Sequence, residues 1–176
     1  MRILLLLFLL IPSMAFGLNP EYREGMKRQL YIIIDRHPFY KWGESSEESK
    51  GLDCSGFLFL AAKRTGIPVL RRNALQMRNG EGGWTGKDTD IDHMDELDII
   101  WWTWPGKEFS RPHGHVGILL KTRDTCKLWV THSCQSAGVT YQEIKGPLFR
   151  DISALRKLTI GNKENPTLGP GIRQLK

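Results

Sequence analysis

Near residue 96 the hydrophobic pattern of this 176-residue chain changes period, and the change leaves few folds open. Before it, apolar residues recur at helical spacing. Asn19-Pro20 pairs a capping side chain with a proline at the first helical position, and Met26, Leu30 and Ile33-Ile34 follow. The spacing predicts a helix over 20–35, stopped by His37-Pro38. A second is predicted over 54–65, with Phe57, Leu60 and Ala61 as its apolar positions. Lys63-Arg64 lie near its end, with Gly66 and Pro68 beyond. Residues 71–79 read as a short third helix, and the polar, glycine-containing stretches 43–51 and 79–95 as loops. After the change come five strand-like runs: Leu97–Trp104, His115–Leu120, Lys127–His132, Gly138–Ile144 and Ala154–Ile160. Their short connections favour antiparallel pairing. Helices first and strands afterwards predict an α+β domain, its N-terminal helices packed on a central antiparallel sheet of about five or six strands.

The two ends read differently from this body. Met1-Arg2 precede an unbroken apolar run from Ile3 to Ile11, and Ala15-Phe16-Gly17 is a small–any–small triplet. That is the layout of a secretory signal peptide over 1–17, cleaved near Gly17, and the run is too short to span a bilayer. The expectation is an exported, periplasmic or secreted protein with one domain over 18–160 and a flexible tail over 161–176. Loss of the leader removes Arg2, so the formal charge drops from +6 to about +5. A chain that is 40% hydrophobic and 10% aromatic can bury a core, which excludes global disorder. No second apolar stretch reaches membrane-spanning length, so stable membrane insertion is not expected. A pI near 9.3 suits a polyanionic partner; export argues against nucleic acid and for an anionic wall or surface.

The three cysteines, Cys54, Cys126 and Cys134, are an odd number for an exported protein, which points to an unpaired thiol. Cys126 and Cys134 could form a disulfide, but the strand-like Leu128-Trp129-Val130 between them would hold the two apart, which weighs against the bridge and leaves their pairing open. Cys54 stands out because Leu52-Asp53-Cys54-Ser55-Gly56-Phe57 opens the second helix. Unpaired N–H groups and the positive end of the helix dipole stabilise a thiolate there, and the same N–H groups lie where an oxyanion would develop. The plainer reading is a buried cysteine packed as a small hydrophobe. Two histidines weigh against it. His115 heads one strand-like run and His132 ends the next, so antiparallel neighbours would bring the rings within hydrogen-bonding reach. One imidazole could take the thiol proton while the other fixes its tautomer. His113 shares a strand face with His115.

Tyr40-Lys41-Trp42-Gly43, Gly51-Leu52-Asp53-Cys54-Ser55-Gly56-Phe57, Leu97-Asp98-Ile99-Ile100, Gly114-His115-Val116-Gly117-Ile118 and Val130-Thr131-His132 follow one another in this order. Together they resemble the NlpC-type family of bacterial cell-wall cysteine endopeptidases, over about residues 22–145. The resemblance implies a papain-like fold and cleavage of an amide bond in peptidoglycan stem peptides, commonly after γ-D-glutamate, through an acyl-enzyme and without a cofactor. It makes Cys54 the nucleophile, His115 the general base and His132 the residue that orients it. Tyr40 matches a tyrosine expected near the sulfur and the oxyanion, while Asp53 and Ser55 match residues that help hold the free amine of the stem peptide. Asp98 reads as structural. The chain departs from the family pattern at Glu44, where a second glycine is usual, and at Glu96-Leu97-Asp98, shifted by one position. The stretch 78–95 and the run Trp101-Trp102-Thr103-Trp104-Pro105 have no family counterpart. The residues identify no inhibitor or immunity protein.

Other readings compete. His113, His115, His132 and Cys134 form His-x-His and His-x-Cys pairs that could converge on zinc, which would leave Cys54 unexplained. Asp88, Asp90 and Asp92 alternate like a calcium loop, but His93 and Ile99 occupy the glycine and glutamate positions of that motif, so it fails. The tryptophans could stack on sugar rings, although a strand core with one ring outside is the commoner arrangement. An amidase or acyltransferase on another amide or lipid, or an inactive wall-binding domain, would carry the same residues.

Overall fold

The structure, a computed structural model, describes residues 18–36, 39–104, 106–110, 113–144 and 152–158. The expected leader over 1–17 with its cleavage near Gly17, the expected helix stop at His37-Pro38, residues 159–160 and the expected tail over 161–176 lie outside the described residues. Helix α1 spans Pro20–Arg36, with the Asn19 side chain accepting the Glu21 N–H at 3.0 Å, and buries Met26, Leu30 and Ile33. Strands β1 (Phe39–Tyr40) and β2 (Gly51–Leu52) form a two-stranded parallel ribbon that leads into helix α2 (Cys54–Thr65). Gly66 ends α2 in the left-handed region at φ 78°, its N–H reaching the Ala62 and Lys63 carbonyls. The third helix is shorter than expected: α3 covers Ala74–Arg78, because Asn73 and Gln76 close a capping box that starts it late.

Six strands follow: β3 (Gly86–Asp88), β4 (Ile99–Thr103), β5 (Gly114–Lys121), β6 (Leu128–Cys134), β7 (Gly138–Gln142) and β8 (Ile152–Leu158). They form one antiparallel sheet in the order β3-β8-β4-β5-β6-β7. β3 corrects the expectation of a loop over 79–95. Gly-Lys-Asp carries no strand pattern, and its partner β8 lies about seventy residues on, pairing Gly86 with Leu158 and Asp88 with Arg156. β4 starts later than the apolar run because Leu97 sits at φ 73°, a left-handed kink that extended pairing cannot include. β7 likewise stops at Gln142.

The continuous apolar character of β4 has a simple cause: both of its faces are covered. Ile99 and Trp101 pack with Val116, Ile118 and Leu120 against α1 and α2, while Ile100 and Trp102 join Leu119, Val130 and Leu155 in a second cluster on the other face. Trp101 and Trp102 are each 1% exposed and Trp104 is 42% exposed, so the tryptophan run is core with one ring outside. No helix among the described residues is long and apolar enough to cross a membrane.

Candidate active site

The first turn of α2 is held from three sides. Asp53 is its N-cap: Oδ1 accepts the Gly56 N–H at 2.5 Å and the Ser55 hydroxyl at 3.0 Å. Oδ2 receives Arg71 Nη2 at 2.6 Å, and Arg71 Nη1 donates to Ser55 Oγ at 2.8 Å. The Asp53 N–H donates to the Glu44 carbonyl at 3.1 Å, so the loop before the ribbon lies directly on the helix start. A Cβ on Gly56 would stand 2.1 Å from that carbonyl oxygen, which is why only glycine fits there.

Within this cradle Cys54 is 8% exposed. Burial, then the charge of Asp53, push its thiol up from an ordinary value of 9 to about 12; the N–H groups of Val116 and Ser55 and the charge of Arg71 pull the other way and lose. This reverses the expectation of a stabilised thiolate. A helix N-terminus favours the anion, but here it is outweighed by desolvation and an adjacent carboxylate.

The Val116 N–H reaches the sulfur because β5 and β6 part at this point. Their pairing ends at Ile118 and Thr131, while β5 continues along β4 to Gly114 and β6 continues along β7 to Cys134. Gly117 lies in the divergence, where an added Cβ would meet Val130 Cγ1 at 2.7 Å and His132 Cβ at 3.2 Å. His115 is the residue immediately before the amide that contacts the sulfur.

His115 Nε2 and His132 Nδ1 are 2.8 Å apart, and His132 Nε2 is 2.9 Å from Gln142 Oε1. An amide oxygen only accepts, so His132 carries its proton on Nε2 and presents the Nδ1 lone pair to the His115 Nε2–H. That tautomer leaves the lone pair of His115 on Nδ1. Trp102 meets both rings edge-on, at centroid distances of 4.6 and 5.3 Å, and Trp104 lies 6.3 Å from His115. Burial lowers His115 to about 3 and His132 to about 4, so both rings are neutral at physiological pH. The thiol of Cys54 and both imidazoles are therefore neutral at physiological pH.

The remaining predicted residues are distributed around that centre. Tyr40 is pushed up to about 12 by burial and then by the charges of Cys54 and Asp53, which puts it in the electrostatic reach of both. Asp53 and Ser55 flank Cys54, but their polar atoms are engaged by Arg71. Asp98 accepts the Asp95 N–H at 2.8 Å and is 3.5 Å from Lys157 Nζ, away from the histidines. The zinc alternative finds no support. His113 Nδ1 pairs with Ser110 Oγ and Cys134 with Ser136, and among the described residues no three His, Cys, Asp or Glu side chains form a metal cluster. All three cysteines are free. Arg71, Gln142 and Trp102 were missed as site residues. For Gln142 the available signal was strand alternation, which puts it on the His132 face of the neighbouring strand.

The sequence profile of the NlpC/P60 family matches residues 37–155. No curated protein matches the chain. Among solved structures, a Staphylococcus aureus protein described as similar to lipoprotein, NLP/P60 family, superposes with a TM-score of 0.60 at 16% identity, over 83% of this chain and 44% of that one. NlpC2 from Trichomonas vaginalis gives 0.55 at 22% identity, over 76% and 47%. The NlpC/p60 domain of the peptidoglycan hydrolase SagA gives 0.52 at 18% identity, over 77% and 97%. The chain therefore spans less than half the length of the first two proteins and nearly all of the third. At these identities the likeness is one of fold, and the helices-on-sheet arrangement is the papain-like one.

Proposed function

The chain belongs to the NlpC/P60 family, and from that premise we propose that it is an exported peptidoglycan hydrolase, a cysteine peptidase that cuts murein stem peptides after γ-D-glutamate. In this reading Cys54 is the nucleophile, His115 the general base and His132 the residue that orients it. Residues 1–17 are a signal peptide and 18–160 the catalytic domain. The observation that carries the proposal is the 2.8 Å link between His115 and His132 at the gap in the sheet where the Cys54 sulfur meets the Val116 N–H.

The chemistry follows from the protonation states. His115 Nδ1 removes the thiol proton as the sulfur attacks the stem-peptide carbonyl, because no resting thiolate is available. The electron pair of the C=O bond moves onto oxygen, where N–H groups at the start of α2, with Tyr40, stabilise the oxyanion. Collapse breaks the C–N bond, and the proton held by His115 goes to the leaving amine. Water, deprotonated by the same nitrogen, then attacks the thioester and returns the thiol. Asp53 and Ser55 face the substrate amine with Arg71 between them, and the net positive charge favours residence on an anionic wall.

Purified peptidoglycan incubated with wild type and with Cys54→Ala, its fragments resolved by mass, tests the proposal. New free γ-D-glutamate carboxyl ends produced by wild type alone are expected. Intact stem peptides would mean an amidase, and fragments also produced by Cys54→Ala would remove the sulfur from the mechanism.

A further inference from the structure

The histidine pair does not end at His132. One polar row crosses three adjacent strands, His115 on β5, His132 on β6 and Gln142 on β7, with links of 2.8 and 2.9 Å. The β6–β7 register explains the second link. His132 lies opposite Thr140 and Val130 opposite Gln142, so Gln142 is the diagonal neighbour of His132 on the same face. The rings have little other freedom to choose a tautomer. They are buried, and among the described residues their ring neighbours are Trp102 on both and Trp104 on His115, neither set to replace the Gln142 oxygen at His132 Nε2. A neutral imidazole has one donor and one acceptor nitrogen, so whichever group binds the far end of the row sets the proton position on both rings.

We propose that Gln142 is a positioning residue: its Oε1 takes the His132 Nε2–H and thereby fixes the lone pair of His115 on Nδ1, the nitrogen left to act as base. The inference rests on the catalytic reading above and adds a fourth member to it. Were the row reversed, with the Gln142 amide donating to His132 Nε2, His132 Nδ1–H would donate to His115 Nε2. His115 Nδ1 would then carry a proton and could accept none. Gln142 thus acts at a distance, through His132, and touches no reacting atom.

Two variants of nearly unchanged length test this. Gln142→Met removes the acceptor, and Gln142→Glu supplies one that cannot donate. Nitrogen-15 NMR of the imidazoles near neutral pH should show a single tautomer on each ring in wild type and in Gln142→Glu, and mixed tautomers in Gln142→Met. With peptidoglycan as substrate, Gln142→Met should lose about tenfold in kcat with KM changed less than about twofold, and Gln142→Glu should stay within about threefold of wild type. If Gln142→Met does not fold, Gln142→Leu takes its place in both measurements. A methionine or leucine variant with the wild-type tautomers and an unchanged kcat overturns the proposal, as does a glutamate variant that loses as much as methionine. A wild-type protein that hydrolyses no peptidoglycan would sink the function instead, and the tautomers would still decide the role of Gln142.

Discussion

Cys54 should react with a neutral aromatic disulfide such as 4,4′-dithiodipyridine more slowly than an ordinary exposed cysteine, although it heads a helix. Burial and the Asp53 carboxylate lift its thiol from 9 to about 12. Near neutral pH this cuts the thiolate fraction about a thousandfold. A more basic thiolate is the better nucleophile, and with a Brønsted coefficient of about 0.45 the three-unit shift returns about 1.35 log units of rate. The deficit left is about 1.65 log units, roughly 45-fold, before limited access slows the reagent further. Cys126 is exposed and serves as the internal standard. Stopped-flow absorbance on wild type and on Cys54→Ala separates the traces, because the slow phase should vanish in the variant. Its rate should climb about tenfold per pH unit through neutrality, in proportion to thiolate. A Cys54 phase faster than Cys126 near pH 6, level toward acid, would mean a resting thiolate–imidazolium pair and would refute the reasoning.

Three further outcomes follow from the same geometry. The fold refuses protons on His115 and His132, at about 3 and 4, that an unfolded chain takes up below about 6.5. Stability should therefore fall as pH drops through that window, by about 1.4 kcal/mol per pH unit for each ring. Cys54 acts at the opposite end: unfolded it loses its proton above 9, folded not until about 12, so stability should also fall above pH 9. Urea midpoints that stay level from about pH 7.5 to 5.5 would contradict the first half. Gly56→Ala drives a Cβ into the Glu44 carbonyl and should cost more than about 2 kcal/mol, read as a lower denaturation midpoint at constant slope. Arg71→Met leaves the buried Asp53 carboxylate without its cation; with the arginine side chain 28% exposed, the loss should be about 1–3 kcal/mol. Adding Asp53→Asn should recover part of it, and strictly additive losses in the thermal melts would show the two do not act as a pair.

Much of this protein was legible residue by residue, and the legible parts share a cause. Asn19-Pro20 starts α1, Asp53 caps α2 and Gly66 stops it because each acts on backbone within four residues of itself. The strand-borne histidines were readable as a pair for the same reason: alternation and a short connection place them on one face of neighbouring strands. Distance along the chain marks where this ends. β3 is a strand because β8, far later, offers it a register; Arg71 belongs to the site because the chain returns to Asp53 after α2; Gln142 faces His132 because β6 and β7 pair as they do. The charge state of Cys54 belongs to the same group. The helix start it heads argues for a thiolate and the adjacent Asp53 against one, whereas the desolvation that contributes most to keeping it a thiol comes from the assembled packing around it. Local backbone chemistry was written in the order of residues; proton positions depended on what folding brought together and on how much water it removed.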